Sequence, residues 1–150
     1  MALFSRRTAS TPLDGVDAVL ADLDGVVYAG PGALPYAVES LNAAGATRRL
    51  GFITNNASRR DAVVADHLRE LGLVSTRSED VVTSPQAAMR LLRERVAPGS
   101  TILVVGGDGL VFEVEKAGFV VTRSADAAPA AVVQGFAPHV GWEDLAEAAY

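Results

Sequence analysis

Val19-Leu20-Ala21-Asp22-Leu23-Asp24-Gly25-Val26-Val27-Tyr28 is an apolar run that ends in two carboxylates, with a glycine directly behind them. Read as a strand, its period of two sends Asp22 and Asp24 to one face and Leu23 to the other. The acids then stand at the carboxyl end of the strand, where open α/β sheets hold their ligands. Carboxylates that close repel unless a cation or a shared proton relieves them. Gly25 lets the backbone turn sharply and approach a ligand closely. The pattern asks for a hard, oxygen-seeking cation such as Mg2+, with a phosphate beside it. The tetrapeptide alone also suits a plain turn that ends a strand. The next apolar run decides between them, because Leu50-Gly51-Phe52-Ile53 leads into Thr54-Asn55-Asn56, a hydroxyl and two amides.

Working outward, strands alternate with helix-length amphipathic segments, which predicts a parallel α/β sheet. Strands are expected at 18–22, 49–54, 81–83, 101–105, 119–122 and 131–134. Helices are expected at 36–44, after a capping box of Ser58 and Asp61, at 85–95 with Ala88, Leu91 and Leu92 inward, at 110–117 and at 142–150. The stretch 25–35 is rich in glycine and proline and reads as an irregular loop. Trp142 reads as a packing anchor, and His67 and His139 as surface or packing residues, since no partner sits at metal spacing. Residues 1–13 read as a mobile arm.

At 150 residues, with 49% hydrophobic and 21% charged content, the chain can bury a real core. Its formal net charge of -5 argues against nucleic acid or an anionic membrane surface as a partner. The absence of cysteine excludes disulfides, thiolate nucleophiles and Cys-ligated zinc, and fits a cytoplasmic location. No apolar run approaches the length of a membrane span. Of the 13 basic residues, every one but Lys116 is arginine.

With Asp22-Leu23-Asp24-Gly25-Val26 and Thr54-Asn55-Asn56-Ala57-Ser58-Arg59 in place, the chain resembles the haloacid dehalogenase (HAD) superfamily, class IIA branch. The resemblance continues through Val81-Val82-Thr83-Ser84-Pro85, Val104-Val105-Gly106-Gly107-Asp108-Gly109-Leu110 and Ala131-Val132-Val133-Gln134-Gly135. It implies a Rossmann-like parallel core interrupted by an inserted α/β cap. Residues 14–97 would be the first part of the core, and 98–150 the first part of the cap. It also implies Mg2+-dependent hydrolysis of small phosphomonoesters, glycerol 3-phosphate-like, through an aspartyl-phosphate. Asp22 would be the nucleophile and Asp24 the general acid and base. Gly25, Thr54, Asn55 and Asn56 would surround the phosphate. The Asp22 carboxylate and the Asp24 carbonyl would hold Mg2+. The partner would be a small phosphorylated metabolite, and copies of the chain could pair through the cap.

Two elements that the family uses are not identifiable: a lysine that steadies the aspartyl-phosphate, and a later acidic pair for Mg2+. Lys116 reads as solvent-facing on its helix. The remainder of cap and core is therefore expected beyond Tyr150. A rival reading takes Asp108 and Glu113 as the missing acids of a complete, capless phosphatase. It is disfavoured because no lysine precedes that strand. A receiver-like phosphate-binding module is a further alternative, weakened because the third strand ends without an aspartate.

Overall fold

The computed structural model describes residues 11–150. Most of the expected arm, residues 1–10, lies outside the described residues. Residues 11–13 enter a turn in which Thr11 N–H and Oγ1 donate to the Asp14 carboxylate at 2.8 and 3.0 Å.

The expected parallel α/β organisation is present, split between two sheets. The first has the order β1 (Ala18–Asp22), β4 (Arg49–Thr54), β5 (Val81–Thr83), all parallel. Between β1 and β4 lie a short antiparallel hairpin, β2 (Tyr28–Ala29) and β3 (Gly32–Ala33), and helix α1 (Ala37–Gly45). Helix α2 (Asp61–Glu70) returns the chain towards β5. The second sheet has the order β7 (Val120–Thr122), β6 (Thr101–Val105), β8 (Ala131–Gln134), again parallel. It is served by α3 (Ser84–Arg95), α4 (Asp108–Lys116) and α5 (Trp142–Glu147).

Each sheet has its own core. Leu23, Val27, Phe52, Val64, Leu68, Leu73 and Val81 form one, under α1 and α2. Ile102, Val104, Leu110, Val114 and Phe119 form the other, and α3 adds Met89 and Leu92 to it. By packing, α3 thus goes with the residues that follow it, although the expected boundary at 97 falls after it. The opposite face of the first sheet, carrying Leu20, Ile53 and Val82, is exposed.

Several local expectations are corrected. The buried stripe of α3 runs through Pro85, Met89 and Leu92 at helical spacing, so Leu91 falls off it and is 59% exposed. The Ser58–Asp61 capping box does not form. Helix α2 begins at Asp61 itself, Ser58 turns back to Asn56, and Asp61 accepts from Ala62 N–H and Gln86 Nε2. Helix α1 runs one residue past the expected end, through Gly45, and Ala46 follows. The 25–35 stretch holds the β2–β3 hairpin. Trp142 is 81% exposed, so it is not a packing anchor among the described residues.

Candidate active site

Strand β1 ends at Asp22, so strand alternation alone does not set Asp24. Asp24 is set by the turn that follows, in which Val26, Val27 and Tyr28 N–H all donate to the Leu23 carbonyl. Leu23 is fully buried between two exposed acids. Burying a leucine contributes about 1.5–3 kcal/mol, which pins the acids on either side of it to the sheet. Gly25 closes the turn, its N–H donating to Tyr28 O at 2.8 Å with φ at +82°. A Cβ there would meet nothing within 4 Å, so glycine is required by the left-handed backbone and not by space.

Parallel pairing of β1 with β4 puts Thr54 beside this turn, since Asp22 registers with Ile53. Thr54 lies on the core side of β4, 2% exposed, and its hydroxyl donates to Asp24 Oδ2 at a long 3.4 Å. The same hydroxyl accepts from Asn56 N–H at 3.1 Å. The Asn56 side chain is turned away, its Oδ1 accepting from Ser58 N–H and Oγ at 2.9 and 2.6 Å. The Asn55 carbonyl accepts from Ser84 Oγ at 2.9 Å, which ties the loop to the start of α3. Among the described residues, nothing bonds the Asp22 carboxylate. The structure therefore brings Asp22, Asp24, Gly25 and Thr54 to one edge, with the Asn55–Asn56 backbone alongside. It spends the Asn56 side chain on holding the loop.

Tyr28 joins this group, although reading the sequence does not single it out. Its phenol is buried, and burial first, then the charges of Asp24 and Asp22, push its pKa up against a lowering by Arg59. Its ring meets His67 edge-on, with centroids 5.0 Å apart. The sequence signal was slight: an aromatic at the end of the turn that Asp24 begins. Arg59 is the cation whose charge reaches the same phenol.

The second unit reaches the 55–60 loop. Arg60 lies 4.2 Å from the Phe112 ring centroid. Gly109 in α4 approaches so closely that a Cβ would stand 2.7 Å from Arg59 C and O.

Hard oxygen donors suit Mg2+, and Asp22 and Asp24 offer them. No cluster of three or more His, Cys, Asp or Glu able to hold a metal occurs among the described residues. Asp22 and Asp24 alone would give only part of the six-oxygen shell that Mg2+ takes. Asp108 and Glu113 form no such cluster with them among the described residues. They follow β6, the centre of the separate sheet, and Glu113 is buried and paired with Lys116 at 3.2 Å. Neither a polar cleft of about 350 Å3 at the amino ends of β4 and β5 nor an apolar one of about 300 Å3 beside Leu91 includes the acids. The chemistry of the donor set, not the depth of a cleft, marks this edge. No described helix is long and apolar enough to cross a membrane.

The profile of the haloacid dehalogenase-like hydrolases matches residues 19–120. The chain is 48% identical over 133 residues to the D-glycerol 3-phosphate phosphatase of Mycobacterium tuberculosis, covering 89% of this chain and 37% of that protein. It is 40% identical over 115 residues to the glycerol-3-phosphate phosphatase of Gallus gallus, covering 75% of this chain and 36% of the relative. The crystal structure of the M. tuberculosis glycerol phosphate phosphatase in complex with magnesium superimposes with a TM-score of 0.81 and 47% identity. That match covers 89% of this chain and 40% of the other. The chain thus spans little more than a third of the length of these curated relatives.

Proposed function

The chain belongs to the haloacid dehalogenase-like hydrolase family, and on that premise we propose that it carries the phosphoryl-transfer edge of a Mg2+-dependent phosphomonoester phosphatase. The observation that supports this reading is the Thr54–Asp24 contact at the carboxyl ends of β1 and β4, where Asp22 ends its strand. An unbonded, exposed carboxylate at Asp22 is suited to attack phosphorus in line. The new bond joins Asp22 Oδ to phosphorus as the ester P–O bond breaks. Asp24, held by Thr54, delivers its proton to the departing alkoxide. As a carboxylate it then takes a proton from water, whose oxygen attacks phosphorus and releases phosphate and Asp22. On phosphate binding Thr54 would redirect its one hydroxyl proton from Asp24 to a phosphoryl oxygen, with the Asn55 N–H beside it and the Gly25 turn close to the same anion. The Asp22 carboxylate and the Asp24 carbonyl would hold Mg2+, which supplies charge neutralisation when bound.

Residues 98–150 would be the first part of a cap over this edge, with α3 packed against its sheet. Contacts of Gly109 and Phe112 with the 57–60 loop support that reading. The expected substrate class is a small phosphomonoester such as glycerol 3-phosphate, in keeping with the names of the relatives.

The test is phosphate release from glycerol 3-phosphate and nitrophenyl phosphate by the full-length chain, with Mg2+ and with chelator. Mg2+-dependent release that vanishes in Asp22→Asn is expected. Equal release by the variant would overturn the reading.

A further inference from the structure

The polar cleft lies at the end of the first sheet remote from Asp22. Arg49 begins β4 and Thr54 ends it, so the two ends stand about 17 Å apart at the usual rise of a strand. The cleft, about 350 Å3, is small but within the range of metabolite sites. Phe52 and Leu73 give it apolar wall, while Arg48, Arg49 and Arg77 face a single acid, Asp80. Arg77 is also paired with Glu79 at 2.8 Å, so three guanidiniums against two carboxylates leave a local excess of one positive charge in a chain whose formal net charge is -5.

Asp80 is already committed. Its Oδ2 accepts from Arg77 N–H at 2.9 Å and lies 3.5 Å from Arg77 Nε. Asp14, whose charge is felt by Arg48, has both carboxylate oxygens taken by Thr11. Arg48 gives N–H groups to Thr47 Oγ1 at 2.9 Å and to Leu13 O at 2.7 Å. Its Nε is buried with no partner among the described residues. Arg49 makes no ion pair among the described residues. The carbonyls at the end of α1 would repel an anion, but Asn42 O and Ala44 O are occupied by N–H groups of Ala46, Thr47 and Arg48.

We propose that this cleft binds a small anionic metabolite bearing phosphate or carboxylate groups, at a site separate from the acidic pair. Guanidinium forks match both groups bidentately, and the apolar wall suits a short carbon skeleton.

The test is an amide and arginine Nε–H titration by NMR on the full-length, 15N-labelled chain. Inorganic phosphate and citrate are the two probes, each matched against sodium chloride of equal ionic strength. Saturable shifts at Ser75, Thr76 and Arg48 Nε–H are expected with at least one probe. The probe that saturates assigns the phosphate or the carboxylate class. Arg49→Ala and Arg77→Gln should each weaken that binding by about ten-fold, the loss expected for one charge-assisted contact. Arg49→Lys should retain part of it. Circular dichroism checks each fold; if Arg49→Ala unfolds, the exposed Arg77→Gln decides. Shifts that follow ionic strength alone, or saturation unchanged in the folded variants, would overturn the proposal. Phosphate shifts at Thr54 and Asn55 report the acidic edge and leave this cleft untouched, so the two readings fail separately.

Discussion

The Thr54 hydroxyl, buried at the end of β4, reaches the exposed carboxylate of Asp24 beyond the end of β1 at 3.4 Å. Two adjacent parallel strands thereby share one polar contact at their carboxyl edge. The bond is long, and Thr54 Oγ1 also accepts from Asn56 N–H. This hydroxyl is the point where the acidic turn and the amide loop are joined.

Asp22→Asn in the full-length chain should lower phosphate release by roughly 10^4-fold or more, as loss of a nucleophile does. The fold should persist, because the side chain is exposed and unbonded among the described residues. Steady-state rates with matched circular dichroism check this, and substantial turnover by the purified variant would remove Asp22 from the chemistry.

Asp24→Asn should separate leaving groups. Loss of a general acid costs about 10^2–10^4-fold where the leaving group needs a proton. Glycerol 3-phosphate should suffer more than nitrophenyl phosphate, whose phenolate leaves readily. Comparing kcat/KM for the two esters reads the difference; equal losses would assign Asp24 to holding the turn.

Tyr28 should ionise above the usual phenol range, because burial and then the Asp24 charge disfavour its phenolate. A raised pKa means that the folded chain holds the proton more tightly than the unfolded one. Its share of stability is therefore present below about pH 10 and is lost as pH rises through the folded pKa. Denaturant midpoints measured from pH 8 to 11.5 should fall less steeply for Tyr28→Phe than for the parent chain. Parallel curves would show that the phenol titrates normally.

Gly109→Ala should cost about 1–3 kcal/mol, the usual penalty for overpacking. The new Cβ would stand 2.7 Å from Arg59 C and O and 2.9 Å from Ala57 O. Backbone cannot swing aside as a side chain can. Thermal unfolding should show the loss, and KM for the phosphate ester should rise as the 57–60 loop shifts. An unchanged melting curve would mean that the two units are not in contact there.

The parallel α/β pattern, the bounds of β1, β4, β5, β6 and β8, and the acidic pair were legible in the sequence, because each rests on local order. An apolar run, a period and a glycine with φ at +82° act within a few residues. The family resemblance was carried by the same short stretches. What only the tertiary structure decided concerns which surface lies opposite. Leu91 is exposed and Met89 buried because the second sheet, not helix periodicity alone, selects the face of α3. Ser58 turns to Asn56 instead of capping α2, and Trp142 stands in solvent. Tyr28 joins the acids, and Arg48, Arg49 and Arg77 gather at the far end of the sheet, from segments well separated along the chain. Burial, a pKa and a cleft each depend on atoms that distant residues bring. No window of sequence contains them, and folding supplies them.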